Sequence, residues 1–350
     1  MDVYIFLCFI FALSALVERI LPSNIRKILF LLNGLILLVI VAGRSCGTDY
    51  WLYKNIIEYG HIEEAMWPPL FAFLTKLFPF QIVIALVAIF TIIPFYILMY
   101  RFAGNLYNLA ASFFFTEYFF MTLMQQSRQG IVLACIAWVI LSLHTKKNRA
   151  ILLLFISSLV HITGYLGLLP LFLKDKFLRL KTYVITYISS YILGGFVLKF
   201  LLTNVSALGI TLLTSKMYGY ANRTAELDAS IPLFNFRFLL FFILLYYCYS
   251  KRNMISNNVL PYICNILFFG ICFYTLFNSI VDLAVRGSSC FIRLYFFIIL
   301  FLLQEKRIYK KHKDIIYWLS ICYCLYLMIQ YMTMVKNQNL ELNLIPYSFM

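Results

Sequence analysis

The chain has 350 residues, of which 63% are hydrophobic and only 12% are charged, and its mean hydropathy is +0.88. Soluble globular proteins carry about 25% charged residues, so a soluble fold is excluded because it could not cover this much apolar surface. The net charge of +15 would suggest a nucleic-acid partner if the protein were soluble. Apolar runs of spanning length recur instead through the chain, and we predict a single membrane domain over residues 1–350 with no nucleic-acid partner.

Hydrophobic runs of about 20 residues predict an all-α, polytopic transmembrane protein with about ten full spans. The first run, Val3 to Leu21, lacks a basic n-region and an obvious cleavage site, which indicates a retained helix and not a signal peptide. We place the spans at residues 3–21, 28–43, 80–100, 105–124, 130–144, 182–203, 236–250, 259–281, 289–303 and 315–335.

The apolar run from Ala150 to Leu173 does not fit a simple crossing. Basic clusters flank it on both sides, at residues 146–149 and 174–181. A single span would leave one cluster outside, whereas a hairpin or re-entrant pair that turns near His161 keeps both clusters in the cytoplasm. We therefore predict this hairpin, both termini outside, and two long outer loops at about 44–79 and 204–235.

Several arginines lie in the predicted outer half of the membrane, where a charge is costly unless it is paired or hydrated. Arg44 ends a span, Arg128 opens one, and Arg286 and Arg293 are seven residues apart. These last two share one face if the helix is continuous, and Gly287, Ser288 and Ser289 leave that continuity open. The alternative role for each arginine is a snorkelling anchor. Arginines that converge from several helices would bind a diphosphate or another polyanion, because the guanidinium fork matches phosphate oxygens.

Two side chains are candidates for proton transfer. Asp49 lies between Thr48 and Tyr50, with Tyr53 close by, and a carboxylate beside two tyrosines suits sugar hydroxyls and aromatic contact. Thr48 or Asp49 would equally serve as the cap of a short helix. His161 is either a hydrogen-bonded structural group or a proton acceptor and sugar-binding group.

Glu117 is an acidic residue inside the predicted span 105–124. It lies eleven residues before Arg128 and near the same helical face. We interpret it as the ion-pair partner of an intramembrane arginine such as Arg293, with a catalytic role as the alternative.

In order and spacing, these motifs resemble the EpsG-like branch of the O-antigen and exopolysaccharide polymerases, the Wzy type. Five short motifs carry the resemblance over almost the whole chain, and their shared order makes the signal more specific than any one of them. They are Arg44 with residues 47–53, residues 127–130, His161, Arg286 and Arg293 with Tyr295, and Pro346 with Tyr347.

The resemblance implies a glycosyltransferase of the bacterial inner membrane, active at the periplasmic face. It would transfer a growing glycan from undecaprenyl diphosphate to a lipid-linked repeat unit, using no metal and no cofactor. Its expected partners are the lipid-linked oligosaccharide, membrane lipid, and a chain-length regulator and flippase of the same pathway. The implied roles are catalysis for Asp49 and His161, diphosphate binding for Arg44, Arg128, Arg286 and Arg293, and sugar binding for Tyr50, Tyr53, Gln129 and Tyr295.

Two other functions remain open at the level of sequence. A flippase or transporter for the same lipid-linked oligosaccharide would also need an arginine-lined cavity, although the two halves of the chain show no internal repeat. An O-antigen ligase-type glycosyltransferase uses closely related chemistry, and the placement of the charges does not distinguish it from a polymerase.

Overall fold

The computed structural model describes residues 2–47, 50, 51, 53–55, 73–125, 127–142, 166, 167, 170, 172, 173, 175–207, 236–255, 259–278 and 280–336. Every regular secondary-structure element that we describe in these ranges is a helix. The main helices are α1 (Asp2–Val17), α2 (Ser23–Ala42), α3 (Phe80–Phe102), α4 (Tyr107–Phe114), a π-helix (Phe115–Leu123), α5 (Ser127–Ser142), α6 (Leu180–Ala207), α7 (Phe236–Ser250), α8 (Val259–Leu276), α9 (Val281–Ile292), α10 (Tyr295–Gln304) and α11 (Lys310–Lys336).

The helices confirm the all-helical prediction. Within the described ranges, four helices are long and apolar enough to cross a membrane: Ser23–Ala42, Phe80–Phe102, Val259–Leu276 and Lys310–Met334. Four shorter apolar helices occupy Asp2–Val17, Gln129–Val139, Phe238–Ser250 and Tyr295–Gln304. The number of spans, the outward orientation of both termini and the single functional domain stay predictions. The postulated hairpin around His161 lies outside the described residues.

Two predicted spans are not continuous α-helices. The predicted span 105–124 begins as α4 and continues as the π-helix from Phe115. The predicted span 289–303 is interrupted at Arg293 and Leu294, between α9 and α10. The sequence leaves the continuity of the helix open slightly earlier, at Gly287, Ser288 and Ser289, and in the structure these residues lie within α9. The serine hydroxyls donate to carbonyls of the preceding turn and are compatible with the helix.

The described chain divides into two compact units. The first unit comprises Met1–Leu168 and Ile299–Met350, and the second comprises Leu169–Ile298. In the first unit, α2 and α5 pack against α3, while α1 packs against α4 and α11. In the second unit, α6 and α9 pack against α8.

One end of the first unit is fixed by a buried acidic side chain. Glu18 lies in the turn between α1 and α2 and is 0% exposed. Its carboxylate accepts hydrogen bonds from the backbone N–H groups of Asn108 (2.6 Å) and Leu109 (2.9 Å). N–H groups in the first turn of a helix have no partner within that helix, so Glu18 caps α4 from a distant part of the chain.

Contacts from α2 and α11 reinforce this end. Arg26 donates to the carbonyl of Asn105 at 3.0 Å, and Tyr317 donates to the carbonyl of Ala15 at 2.7 Å. Arg19 forms an ion pair with Asp314 and also lies over the ring of Tyr317. The helices α1, α2, α4 and α11 are therefore tied together close to Glu18.

In the second unit, α6 has a buried stripe of residues at helical spacing. Tyr183, Tyr187, Ser190 and Gly194 are buried, while many apolar side chains between them are exposed. A Cβ atom at Gly194 would lie 2.6 Å from the carbonyl oxygen of Thr275, and the hydroxyls of Ser190 and Thr275 are 2.6 Å apart. Small side chains thus let α6 and α8 approach closely, as is typical of helices packed in a membrane.

Candidate functional site

Arg44 is buried at the end of α2. The helix ends at Ala42 and is followed by Gly43, and the side chain of Arg44 has a relative exposure of 1%. A snorkelling arginine keeps its guanidinium in water. The alternative that Arg44 is a snorkelling anchor is therefore wrong, because the surrounding protein covers this side chain.

A glycine turn brings the Arg44 motif against the start of the α5 motif. Gly47 has a φ of +100°, a conformation that side-chain-bearing residues rarely adopt. A Cβ atom at this position would lie 1.9 Å from the carbonyl oxygen of Met124. The Nη1 atom of Arg44 is 3.9 Å from the sulfur of Met124, three residues before α5 begins at Ser127. Two motifs that are distant in the sequence are therefore adjacent in the structure.

Neighbouring helices hold this turn from two sides. The Gln81 side chain of α3 donates to the carbonyl of Ala42 at 2.6 Å and lies 3.4 Å from the carbonyl of Arg44. The hydroxyl of Tyr4 in α1 is 3.7 Å from the Cys46 sulfur. The conformation of residues 42–47 is thus set by packing rather than by the local sequence alone.

The π-helix leads directly into this junction. The N–H of Met124 donates to the carbonyl of Phe119, five residues earlier, at 3.0 Å. Glu117 lies in the π-helix and is 2% exposed. Wide helical turns are often found at functional sites, because they displace the following residues from the regular α-helical register. The proposed ion pair between Glu117 and Arg293 stays a prediction, since the two residues belong to different units.

The four residues expected to bind sugar are buried. Tyr50 and Tyr53 are 1% and 0% exposed and belong to a hydrophobic cluster that contains Val83, Ile84 and Val87. These two tyrosines therefore pack against α3.

The other two predicted sugar-binding residues lie elsewhere. Gln129 is buried in the first turns of α5. Tyr295 is 2% exposed in the second unit, with its ring centroid 5.0 Å from that of Phe241. Sugar binding by Tyr50, Tyr53, Gln129 and Tyr295 stays a prediction.

The second unit has a cavity beside Arg293. Its volume is about 160 Å³, and its walls include Phe238 of α7, Tyr274 of α8, and Ser288, Ser289 and Arg293 of the α9 segment. Arg293 follows the last residue of α9 with helical backbone angles. It is partly exposed, as is Arg286. Of these two arginines, only Arg293 lines the cavity.

Of the remaining predicted residues, Arg128 belongs to the part of the chain that the structure describes. Arg128 is the second residue of α5, which agrees with its predicted place at the start of a span. Asp49 and His161, the two candidates for catalysis, lie outside the described residues, and so do Pro346 and Tyr347. Their roles stay predictions.

Arg44 lies at the end of its unit that is remote from the basic loops. Arg26 and Lys27 are in the first turns of α2, a helix of 20 residues that is about 30 Å long. Arg101 is at the far end of α3, whose first turn contacts the Arg44 segment through Gln81. The positive-inside rule predicts that the basic end faces the cytoplasm, and this orientation stays a prediction.

The Arg293 cavity likewise lies far from the basic loop residues of the second unit. Phe238 is the third residue of α7, and Lys251 and Arg252 follow the last residue of that helix. A helix of 15 residues separates the two ends by about 22 Å. In both units the arginine lies far from the basic loop residues, and the side of the membrane that it faces stays a prediction.

Sequence reasoning missed most of the cavity. In the sequence, Ser288 and Ser289 only leave the continuity of the helix open. Neither Phe238 nor Tyr274 belongs to a motif. The sequence does contain a signal for the polar wall of the cavity. The polar run from Arg286 to Ser289 interrupts an apolar region, and Arg293 follows four residues later.

Comparison with known families agrees with these motifs. The model of the EpsG family matches residues 27–349, nearly the whole chain, and this range includes Arg44, Arg128 and Arg293. No curated protein and no solved structure matches the chain significantly. The chain belongs to the EpsG family, whose members are Wzy-type polymerases.

Proposed function

We propose that this protein polymerises a bacterial surface polysaccharide at the periplasmic face of the inner membrane. It transfers the growing glycan from undecaprenyl diphosphate to a lipid-linked repeat unit. Membership of the EpsG family supports a polymerase of polysaccharide repeat units. The placement of Arg293 beside a cavity is the observation that carries the choice of a lipid diphosphate as the donor, and Arg44 supports it.

Arg44 supplies a permanent positive charge at the end of the first unit that is remote from the basic loops. Its side chain reaches Met124, just before the N-terminus of α5. A guanidinium and a helix N-terminus each stabilise a phosphate anion. Arg128 is the second residue of that helix, and Arg293 lines a cavity in the second unit. These positions favour a diphosphate substrate over a neutral one.

The chemistry requires charge stabilisation more than acid catalysis. When the bond between the sugar and the diphosphate breaks, negative charge develops on the diphosphate oxygens, and positioned arginines stabilise it. A diphosphate leaves without a proton, so a general acid is unnecessary. The attacking acceptor hydroxyl loses a proton, and Asp49 or His161 is the proposed base.

The function is tested by substitution in a host that lacks its own polymerase. Arg44, Arg128, Arg286 and Arg293 are each changed to Ala and to Lys, and the surface polysaccharide is separated on a gel. We expect the alanine variants of Arg44 and Arg293 to yield only single-repeat product. Long-chain ladders in every alanine variant would refute the assignment.

The general base is tested separately with Asp49→Asn and His161→Ala. Both variants are expected to accumulate in the membrane in normal amounts, and the variant of the true base yields only single-repeat product. Long ladders in both variants would exclude both residues.

Deletion of the gene distinguishes the polymerase from the two alternatives. Loss of a polymerase leaves single repeat units on the outer side of the membrane, whereas loss of a flippase leaves them inside. Loss of an O-antigen ligase leaves long polymer on its lipid carrier. We expect the first outcome.

A further inference from the structure

The cavity beside Arg293 has walls of two chemical kinds. Phe238 and Tyr274 form an aromatic wall, with ring centroids 5.0 Å apart and planes at 85°. Ser288, Ser289 and the partly exposed Arg293 provide the polar wall. Sugar rings have apolar C–H faces and polar hydroxyl edges, so walls of both kinds suit a sugar better than a wholly polar or wholly apolar group.

The two serines are arranged to accept hydrogen bonds from a ligand. The hydroxyl of Ser289 donates to the carbonyl of Arg286 at 2.7 Å, and that of Ser288 donates to the carbonyl of Val285 at 3.3 Å. A serine oxygen can accept hydrogen bonds while its own proton is donated, so toward a ligand these oxygens act as acceptors. A sugar hydroxyl can donate to them. A fully ionised phosphate has only acceptor oxygens, so it does not match these two positions.

The volume of the cavity matches one ring. An engineered protein cavity of about 150 Å³ holds a benzene molecule, and the cavity beside Arg293 measures about 160 Å³. The cavity is therefore large enough to take the ring of one sugar, and further sugars of a glycan would lie outside it. The single cation of the wall, Arg293, suits an anionic group attached to that ring.

We infer that this cavity binds the one sugar that is bonded directly to the lipid diphosphate. The ring lies between the aromatic wall and the two serines, and Arg293 contacts the phosphate attached to it. This inference rests on the proposed function, because it takes the substrate to be a diphosphate-linked glycan. It adds a sugar subsite made by Phe238, Tyr274, Ser288 and Ser289, none of which the motifs of the family resemblance include.

Binding measurements on the purified full-length protein in lipid nanodiscs test this subsite. The probes are farnesyl diphosphate, farnesyl diphosphate carrying one hexose or N-acetylhexosamine from a small panel, and farnesol. We expect at least one sugar-bearing probe to bind ~10-fold more tightly than farnesyl diphosphate, as one or two additional hydrogen bonds would produce.

Ser289→Leu fills the cavity and is the decisive variant. We expect it to bind every sugar-bearing probe no better than farnesyl diphosphate, with its affinity for farnesyl diphosphate unchanged. Ser250→Leu is the matched control, because Ser250 is exposed at the opposite end of α7 and its hydroxyl also donates to a carbonyl of its own helix. This control should keep the full preference for the sugar-bearing probe.

Ser289→Ala removes the hydroxyl without adding bulk, so it covers the case in which the leucine variant does not fold. It should lose part of the preference, by a few-fold. An unchanged preference in Ser289→Leu, or in Ser289→Ala if the leucine variant does not fold, would overturn the sugar subsite. So would no preference in the unmodified protein, or loss of both diphosphate probes in a folded Ser289→Leu variant. Binding of farnesol as tightly as farnesyl diphosphate would instead refute the proposed function.

Discussion

Arg44 and Arg293 have the same proposed role but opposite surroundings. Arg44 is 1% exposed, and the gap beside it is too small for a water molecule. Arg293 is partly exposed beside a cavity of about 160 Å³. The cavity gives a ligand a place beside Arg293, whereas a ligand can touch Arg44 only after the surrounding packing changes.

The difference separates two ways in which an arginine can serve an anionic substrate. In the proposed function Arg293 acts by direct contact, so its loss should affect activity far more than the fold. Arg44 is part of the packing between α2, α3 and the Met124 junction, so its loss should affect stability and activity together. Motif spacing does not reveal this distinction, because burial decides it.

The largest expected effect comes from removing the contact arginine. Arg293→Ala should lower the polymerisation rate by ~10²- to 10³-fold, since it removes a donor that stabilises charge in the transition state. The melting temperature should stay unchanged. Purified protein with a lipid-linked repeat unit gives the rate, and thermal unfolding in the same detergent gives the stability.

Arg44→Ala and Arg179→Ala complete this comparison. Arg44→Ala should lower both the rate and the melting temperature, whereas Arg179→Ala should change neither, because Arg179 is exposed before α6. If Arg293→Ala destabilises the protein as much as Arg44→Ala does, the two arginines do not differ as proposed.

A pair of glycines tests whether the Gly47 turn positions Arg44. Gly47 and Gly104 both have positive φ values, +100° and +60°, so alanine at either position costs ~1–3 kcal/mol in backbone strain. The new methyl group at Gly47 meets the backbone oxygen of Met124 at 1.9 Å, whereas the one at Gly104 meets the flexible Gln304 side chain at 2.8 Å.

Both alanine variants should therefore unfold at a lower temperature, and only Gly47→Ala should also lose long polysaccharide chains. Activity is measured at a temperature where both variants remain folded. Normal chain length in Gly47→Ala would show that the turn does not hold Arg44 in a functional position.

Local features of the sequence are sufficient to predict the helices. Hydrophobic runs are continuous, so helices such as Phe80–Phe102 and Phe236–Ser250 lie close to their predicted bounds. The contact between Gly47 and Met124 could not be predicted, because it joins residues 77 positions apart. The same holds for Glu18, which caps a helix about 90 positions away.

The cavity beside Arg293 shows a second limit of sequence interpretation. Its aromatic wall comes from two helices, and Phe238 and Tyr274 are ordinary members of apolar runs. Only the packing of α7 on α8 makes them neighbours of Ser289. The arginine motif thus indicates the anionic part of a ligand, and tertiary structure supplies the walls that would bind the rest.

Glu18 is a buried ionisable group at the other end of the first unit, and it can be compared with Arg44. Burial raises the pKa of Glu18 from an ordinary 4.5 to about 7, although bonds from Asn108 and Leu109 and the charge of Arg26 each lower it. Between pH 4.5 and 7, Glu18 is thus more protonated in the folded protein than in the unfolded chain. Protonated Glu18 therefore contributes stability at low pH, and this stability is lost as the pH rises through that window.

The melting temperature should accordingly fall more between pH 5 and pH 7.5 in the unmodified protein than in Glu18→Gln, by a few degrees. Arg19, Arg26 and Asp314 are the charged groups near this end, and all three are retained in the variant. Polymer length at a fixed pH should not change, since Glu18 is remote from Arg44. Equal pH profiles for the two proteins would contradict the raised pKa.

The smallest expected effect concerns the support of the cavity wall. The hydroxyls of Ser190 and Thr275 are 2.6 Å apart, and Thr275 directly follows Tyr274 of the aromatic wall. Hydrogen bonds between membrane helices contribute ~0.6 kcal/mol on average, so Ser190→Ala should lower the melting temperature only slightly. Ser250→Ala, which removes a bond within one helix, is the control for loss of a hydroxyl alone.

Because the close approach at Gly194 still holds α6 against α8, the polymerisation rate of Ser190→Ala should remain unchanged. A reduced rate would mean that the hydroxyl pair itself positions Tyr274.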